Sequence, residues 1–86
     1  MSPDLLVAAR AEALFTSDLS VFGPAEKGAV AEAIKTAVRA RGVRGCAGQV
    51  GAAYGEHPET AAARMRWARH VIETIYLRPA YAAAGN

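Results

Sequence analysis

The chain has 86 residues, a hydrophobic fraction of 52% and a formal net charge of +2. A chain this short has room for one hydrophobic core, which excludes a second domain. Its single cysteine, Cys46, excludes an internal disulfide and a cysteine metal cluster, so we expect a cytoplasmic protein. We expect Cys46 itself to be a small buried residue on a helix. No signal peptide is visible, and no apolar run approaches the roughly 20 residues that a membrane-spanning helix needs.

Much of the hydrophobic fraction is alanine, which packs helices closely but removes little apolar surface from water. We therefore expect a core of marginal stability, for which homodimer formation is an ordinary remedy.

Charge is distributed unevenly along the chain. Met1 to Ile34 carries five acidic and two basic residues, whereas Lys35 to Gly55 carries four basic and no acidic residues. A basic second half is compatible with contact to a phosphate backbone but does not require it, because cations near a helix C-terminus also interact favourably with the helix dipole.

The first half of the chain predicts two helices. Ser2 and Pro3 form a good helix start, and apolar residues at helical spacing predict a helix over about 3–15. The segment Thr16 to Gly23 interrupts this period and predicts a loop, whose Leu19, Val21 and Phe22 we expect to fold back onto the core. A second helix is predicted over about 24–41, between Pro24 and Gly42.

The second half predicts a short helix, a turn and a long helix. We expect the short helix over about 46–54, with Gly55 as a left-handed C-cap, and the long helix over about 58–77. Residues 79–86 form a tail that continues for a turn or frays. The prediction for residues 1–86 is therefore one all-α domain, a small bundle of about four helices that contains a helix-turn-helix-like unit.

The helix-turn-helix pattern is carried by residue order. Its first helix needs a branched residue beside a small one, then an apolar residue three positions on and a glycine in the turn. Val50, Gly51, Tyr54 and Gly55 supply that order. The segment Ala47 to Arg69 resembles the helix-turn-helix of region 4 of bacterial sigma factors and, more loosely, that of LuxR-type regulators. The resemblance is completed by residues at matching spacings after the turn glycine, namely Thr60, Ala61, Arg64, Met65, Ala68 and Arg69.

The resemblance implies that the helix from Pro58 is a recognition helix lying in the DNA major groove. Base-facing positions would fall near Glu59, Thr60, Ala62, Ala63 and Arg66. The two alanines have no hydrogen-bonding group for a base edge, whereas arginines can position the protein on phosphates. The expected phosphate contacts of this helix are Arg64, Arg66 and Arg69. Further contacts to the DNA backbone are expected from Lys35, Arg39, Arg41 and Arg44.

The first functional hypothesis is a small DNA-binding or transcription-associated regulator that binds double-stranded DNA as a dimer, and a second hypothesis stays open beside it. The alanines at the reading positions favour a non-catalytic helical interaction module, which would bind a protein partner through Trp67, expected to be partly buried, or Phe22. An enzyme is not predicted, because no paired carboxylates, activated nucleophile or metal cluster stands at usable spacing. Accordingly, we predict no cofactor, no small-molecule substrate and no membrane partner.

Overall fold

The structure, a computed structural model, describes residues 3–77, and within this range it is helical with no strand. It contains α1 (Pro3–Thr16), α2 (Lys27–Glu56) and α3 (Pro58–Ile72), and a π-helical turn (Glu73–Leu77) follows α3. The predicted all-α class is confirmed. The predicted tail over 79–86 lies outside the described residues.

Helix α1 ends at Thr16, one residue beyond its predicted bound. The hydroxyl groups of Thr16 and of Ser17, the next residue, donate hydrogen bonds to carbonyls in its last turn. Thr16 Oγ1 donates to the Ala13 carbonyl at 3.0 Å, and Ser17 Oγ donates to the Leu14 carbonyl at 2.6 Å. The C-terminal carbonyls of a helix lack partners within the helix, so these hydroxyls stabilise its end.

The loop between α1 and α2 differs from the prediction at Phe22. Leu19 packs against the core as expected, but the Phe22 side chain is 97% exposed, so the expectation that it folds back is wrong. Helix α2 also begins later than predicted, at Lys27, because Glu26 before it has an extended backbone, with φ −74° and ψ 145°.

The predicted helices 24–41 and 46–54 are two arms of one long helix, α2. Only Gly42 interrupts it, with φ 73° and ψ 167°. The predicted link over residues 43–45 is helical, because one glycine with positive φ is enough to change the chain direction. Gly45 permits close approach of the two arms, since a Cβ there would lie 3.0 Å from the Arg41 Cβ.

The core joins all three helices. A small cluster sits at the α2 kink, where Cys46 after Gly42 packs with Ala37 before it and with Ala13 of α1. A larger cluster occupies the rest of the interior. Its buried members are Val7, Ala11, Leu14, Phe15, Val30, Val50, Ala61, Ala68, Val71 and Ile72. Because the small cluster has members on both sides of Gly42, it holds the second arm of α2 at a fixed angle to the first arm.

The expected left-handed C-cap at Gly55 is wrong. Helix α2 continues to Glu56, and in residues 3–77 positive φ occurs at Gly42 alone. The break falls instead at His57, with φ −141° and ψ 70°. Pro58 explains this position, because the ring of a proline disfavours helical geometry in the residue before it. Helix α3 in turn ends at Ile72, and the remainder of the predicted 58–77 helix is the π-helical turn.

Candidate functional site

The candidate site is formed by the second arm of α2, His57 and α3. The His57 N–H donates to the Ala53 carbonyl at 2.7 Å, and the Ala61 N–H donates to the His57 carbonyl at 2.9 Å. A single non-helical residue therefore joins the two helices, whereas a helix-turn-helix has a turn of about three or four residues. Val50 and Ala61 are buried in the same core cluster, so α3 is held against α2 on both sides of the junction.

One face of α3 is open to solvent along its length. Residues on that face follow each other at four- and three-residue spacing and are all exposed. They are Glu59, Ala63, Arg66, His70 and Glu73. Thr60 and Arg69, at the two edges of this face, are exposed as well. The middle of the face is therefore cationic and its two ends carry carboxylates.

Most of the predicted DNA-contacting residues of α3 lie on this exposed face. Glu59, Thr60, Ala63 and Arg66 are accessible together, and Arg69 lies beside them. Ala62 is half-buried. The structure thus exposes Glu59, Thr60, Ala63, Arg66 and Arg69 on one side of α3, whereas Ala62 and Arg64 lie outside this group.

Arg64 points to the other side of α3, toward the end of α1. Its Nε donates to the Phe15 carbonyl at 2.7 Å, and its Nη2 donates to the carbonyls of Ser17 and Leu19, each at 3.0 Å. The guanidinium carbon lies 4.8 Å from the centroid of the Trp67 ring. The guanidinium therefore holds the α1 end and the following loop against α3, and these carbonyls occupy its Nε and Nη2 donors.

The surroundings of Arg64 also change its pKa. Burial lowers the pKa of the Arg64 guanidinium, and the negative charge of Asp18 opposes that shift. The side chain stays protonated at neutral pH, because an arginine begins from a very high pKa. Its position next to a helix C-terminus adds a favourable interaction with the helix dipole.

The sequence contains a signal for this role. Arg64 comes three residues after Ala61 and four before Ala68, both buried, so it shares the packed side of α3. Arg66 shares neither spacing and is exposed. Spacing relative to Ala61 and Ala68 therefore separates Arg64, which binds carbonyls, from Arg66, which faces solvent.

The remaining predicted residues lie elsewhere. Arg44 is exposed just after the kink, and Arg41 is half-buried at a cavity between α2 and the loop after α1. Trp67 is partly buried against the core, as expected. Phe22 projects from the loop between α1 and α2, at a distance in sequence from the α3 face.

Within residues 3–77 no group of three His, Cys, Asp or Glu side chains could hold a metal ion. None of the helices described has the length and apolar character needed to cross a membrane. Comparisons with protein-family models, with curated proteins and with solved structures gave no match.

Proposed function

We propose that this domain binds double-stranded DNA through the exposed face of α3. The observation that carries the proposal is the joint exposure of Arg66 and Arg69 with His70 in the middle of that face. Arg66 and Arg69 are three positions apart, which is a rise of about 4.5 Å along the helix axis, so the two guanidinium groups can approach neighbouring phosphates. Ala63 on the same face is small and permits close approach of the helix backbone to the duplex.

The proposed contact is mainly with the DNA backbone. Arg66 and Arg69 supply positive charge on this face, and Lys35, Arg39 and Arg44 are further exposed cations on α2. Glu59 and Thr60 are the polar side chains available for base edges, and Ala63 offers a methyl group for thymine. We therefore propose binding that depends strongly on salt and weakly on sequence.

The proposal is tested by fluorescence anisotropy with a labelled duplex of mixed sequence at increasing salt. Wild-type protein should bind at low salt, and Arg66→Ala should weaken binding and reduce the slope of log affinity against log salt by about 1. Lys27→Ala is the matched control, because Lys27 is exposed at the far end of α2 and its loss changes net charge equally. Absence of binding at low salt, or equal losses in the two variants, contradicts the proposal.

A second candidate function is a protein-interaction module. The observation in its favour is the 97% exposure of Phe22, since aromatic side chains often carry binding energy at interfaces. Partly buried Trp67 is the other predicted anchor. Failure of DNA binding, combined with association that depends on Phe22, would favour this candidate.

A further inference from the structure

His70 lies on the midline of the exposed face of α3. It comes two positions after Ala68 and two before Ile72, which are both fully buried. Two positions correspond to a rotation of about 200° around a helix, so the imidazole points directly away from the elements that pack against α3. The charged residues of α1 and of the second arm of α2 are therefore carried by elements on the opposite side of α3. They are Asp4, Arg10, Glu12, Arg44 and Glu56.

The charged groups that do surround His70 belong to α3 and to the π-helical turn after it. Arg66 precedes His70 by four positions, Arg69 is the adjacent residue, and Glu73 follows by three positions. All three side chains are exposed. Residues three or four apart are neighbours on a helix surface, and charges there interact. The two guanidinium groups repel a protonated imidazole, whereas the Glu73 carboxylate attracts it.

A phosphate group bound at this face changes that balance. Its negative charge offsets the repulsion from Arg66 and Arg69 and attracts a protonated imidazole directly. Histidine is the side chain that ordinarily changes its charge between about pH 5 and 8. Binding of the phosphate and binding of the proton therefore strengthen each other, and linkage requires that each does so by the same factor.

We propose that protonation of His70 regulates DNA binding, so that the affinity of this domain for a duplex rises as the pH falls from about 8 to about 5.5. At the upper end of this range the imidazole is neutral and the middle of the face carries the two charges of Arg66 and Arg69. At the lower end it carries a third positive charge, which supplies one more phosphate contact. This regulation rests on the proposed DNA-binding function, which does not itself require a charged His70.

The regulation is tested by fluorescence anisotropy of the full chain with a labelled duplex of mixed sequence, at several pH values and constant ionic strength. The affinity of the wild type should rise about threefold to fivefold between pH 8 and 5.5. The slope of log affinity against log salt should be steeper by about 0.9 at the lower pH. His70→Gln cannot gain a proton, so its affinity should show no such rise. Carboxyl groups ordinarily titrate near pH 4, below this range.

His57→Gln is the matched control, because the chain has two histidines and His57 is exposed as well. Its side chain makes no capping hydrogen bond to α3, and it lies thirteen positions before His70, about 20 Å along the helix. His57→Gln should therefore keep the pH dependence of the wild type. His70→Lys, which carries its charge at every pH tested, should bind tightly at pH 8 and show no rise at pH 5.5. Circular dichroism should show the same helix content for all variants, because both positions are exposed.

These measurements separate proton control from DNA binding itself. If the wild type binds the duplex equally well at pH 8 and 5.5, or if His70→Gln keeps the rise, control by His70 is refuted and DNA binding through α3 still stands. Loss of the rise in His57→Gln instead would also refute it. Absence of binding at low salt across the whole pH range refutes both the regulation and the proposed function.

Discussion

Arg64 Nε donates to the Phe15 carbonyl at 2.7 Å, a contact between residues 49 positions apart in the sequence. With it, the carbonyls of Ala13, Leu14 and Phe15 each have a side-chain donor, since Thr16 Oγ1 donates to Ala13 and Ser17 Oγ donates to Leu14. Two of these donors are local, whereas the third comes from α3. The α1 end is therefore closed by the helix that carries the proposed DNA face.

Replacing Arg64 should destabilise the domain. Arg64→Ala leaves the carbonyls of Phe15, Ser17 and Leu19 without this donor, and we expect a loss of about 1–3 kcal/mol in the free energy of unfolding. Arg64→Lys should lose part of that, because an ammonium group keeps the charge but not the planar fork. Urea unfolding followed by circular dichroism gives both values.

Arg66→Ala is the matched control for this experiment. It removes the same side chain two positions away, where it is exposed, so the midpoint of unfolding should stay close to that of the wild type. If Arg64→Ala unfolds like Arg66→Ala, the three hydrogen bonds do not stabilise the fold.

Gly42 should tolerate no side chain. Its φ of 73° with ψ of 167° lies in a region that residues with a Cβ rarely enter, so Gly42→Ala should cost about 1–3 kcal/mol of stability or straighten α2. Apart from the chain neighbours and the backbone of the helix itself, no atom lies within 4 Å of a Cβ built there, so the loss would arise from the backbone conformation and not from a clash with another part of the fold. Thermal unfolding measures the stability, and small-angle scattering detects the change in shape.

Gly48 provides the contrasting substitution in the same helix. It is exposed and helical, and a Cβ there meets nothing within 4 Å. Gly48→Ala should therefore stabilise the domain by about 0.5–1 kcal/mol. Equal effects of the two substitutions would show that positive φ at Gly42 is not retained in solution.

Cys46 should react as a buried residue. It is 1% exposed, and its Sγ lies 3.6 Å from Thr16 Oγ1 and 3.8 Å from the Ala37 carbonyl oxygen. A thiol reagent should consequently label Cys46 only when the kink region opens, at a rate that rises with denaturant. Labelling of the native protein at the rate of an unfolded control would contradict this packing.

Patterns local in sequence predicted most of the helical structure. The start of α3 at Pro58 follows from a proline at the first helical position, and α3 lies within the long helix predicted over 58–77. The junctions were less predictable. Gly42 and Gly55 each follow a predicted helix, yet of the two only Gly42 takes positive φ, because Pro58 moves the second break to His57.

Which arginine of α3 binds the fold and which faces solvent depends on tertiary contacts. Composition identified a cationic α3, but the separation of Arg64 from Arg66 requires the end of α1, which supplies the carbonyl acceptors. Phe22 illustrates the opposite error. Its hydrophobicity predicted burial, whereas Phe22 is 97% exposed in the loop between α1 and α2.

Adding a cation at Ala63 should strengthen DNA binding if the exposed α3 face contacts the duplex. Ala63 lies between the polar start of the face and Arg66, and it is exposed, so Ala63→Arg adds a phosphate contact without disturbing the core. We expect the slope of log affinity against log salt to become steeper by about 1. Ala31→Arg is the control, because Ala31 is an exposed helical alanine of α2 and the substitution adds the same net charge. Its affinity should rise less than that of Ala63→Arg. Equal gains would mean that the duplex responds to total charge and does not bind the α3 face.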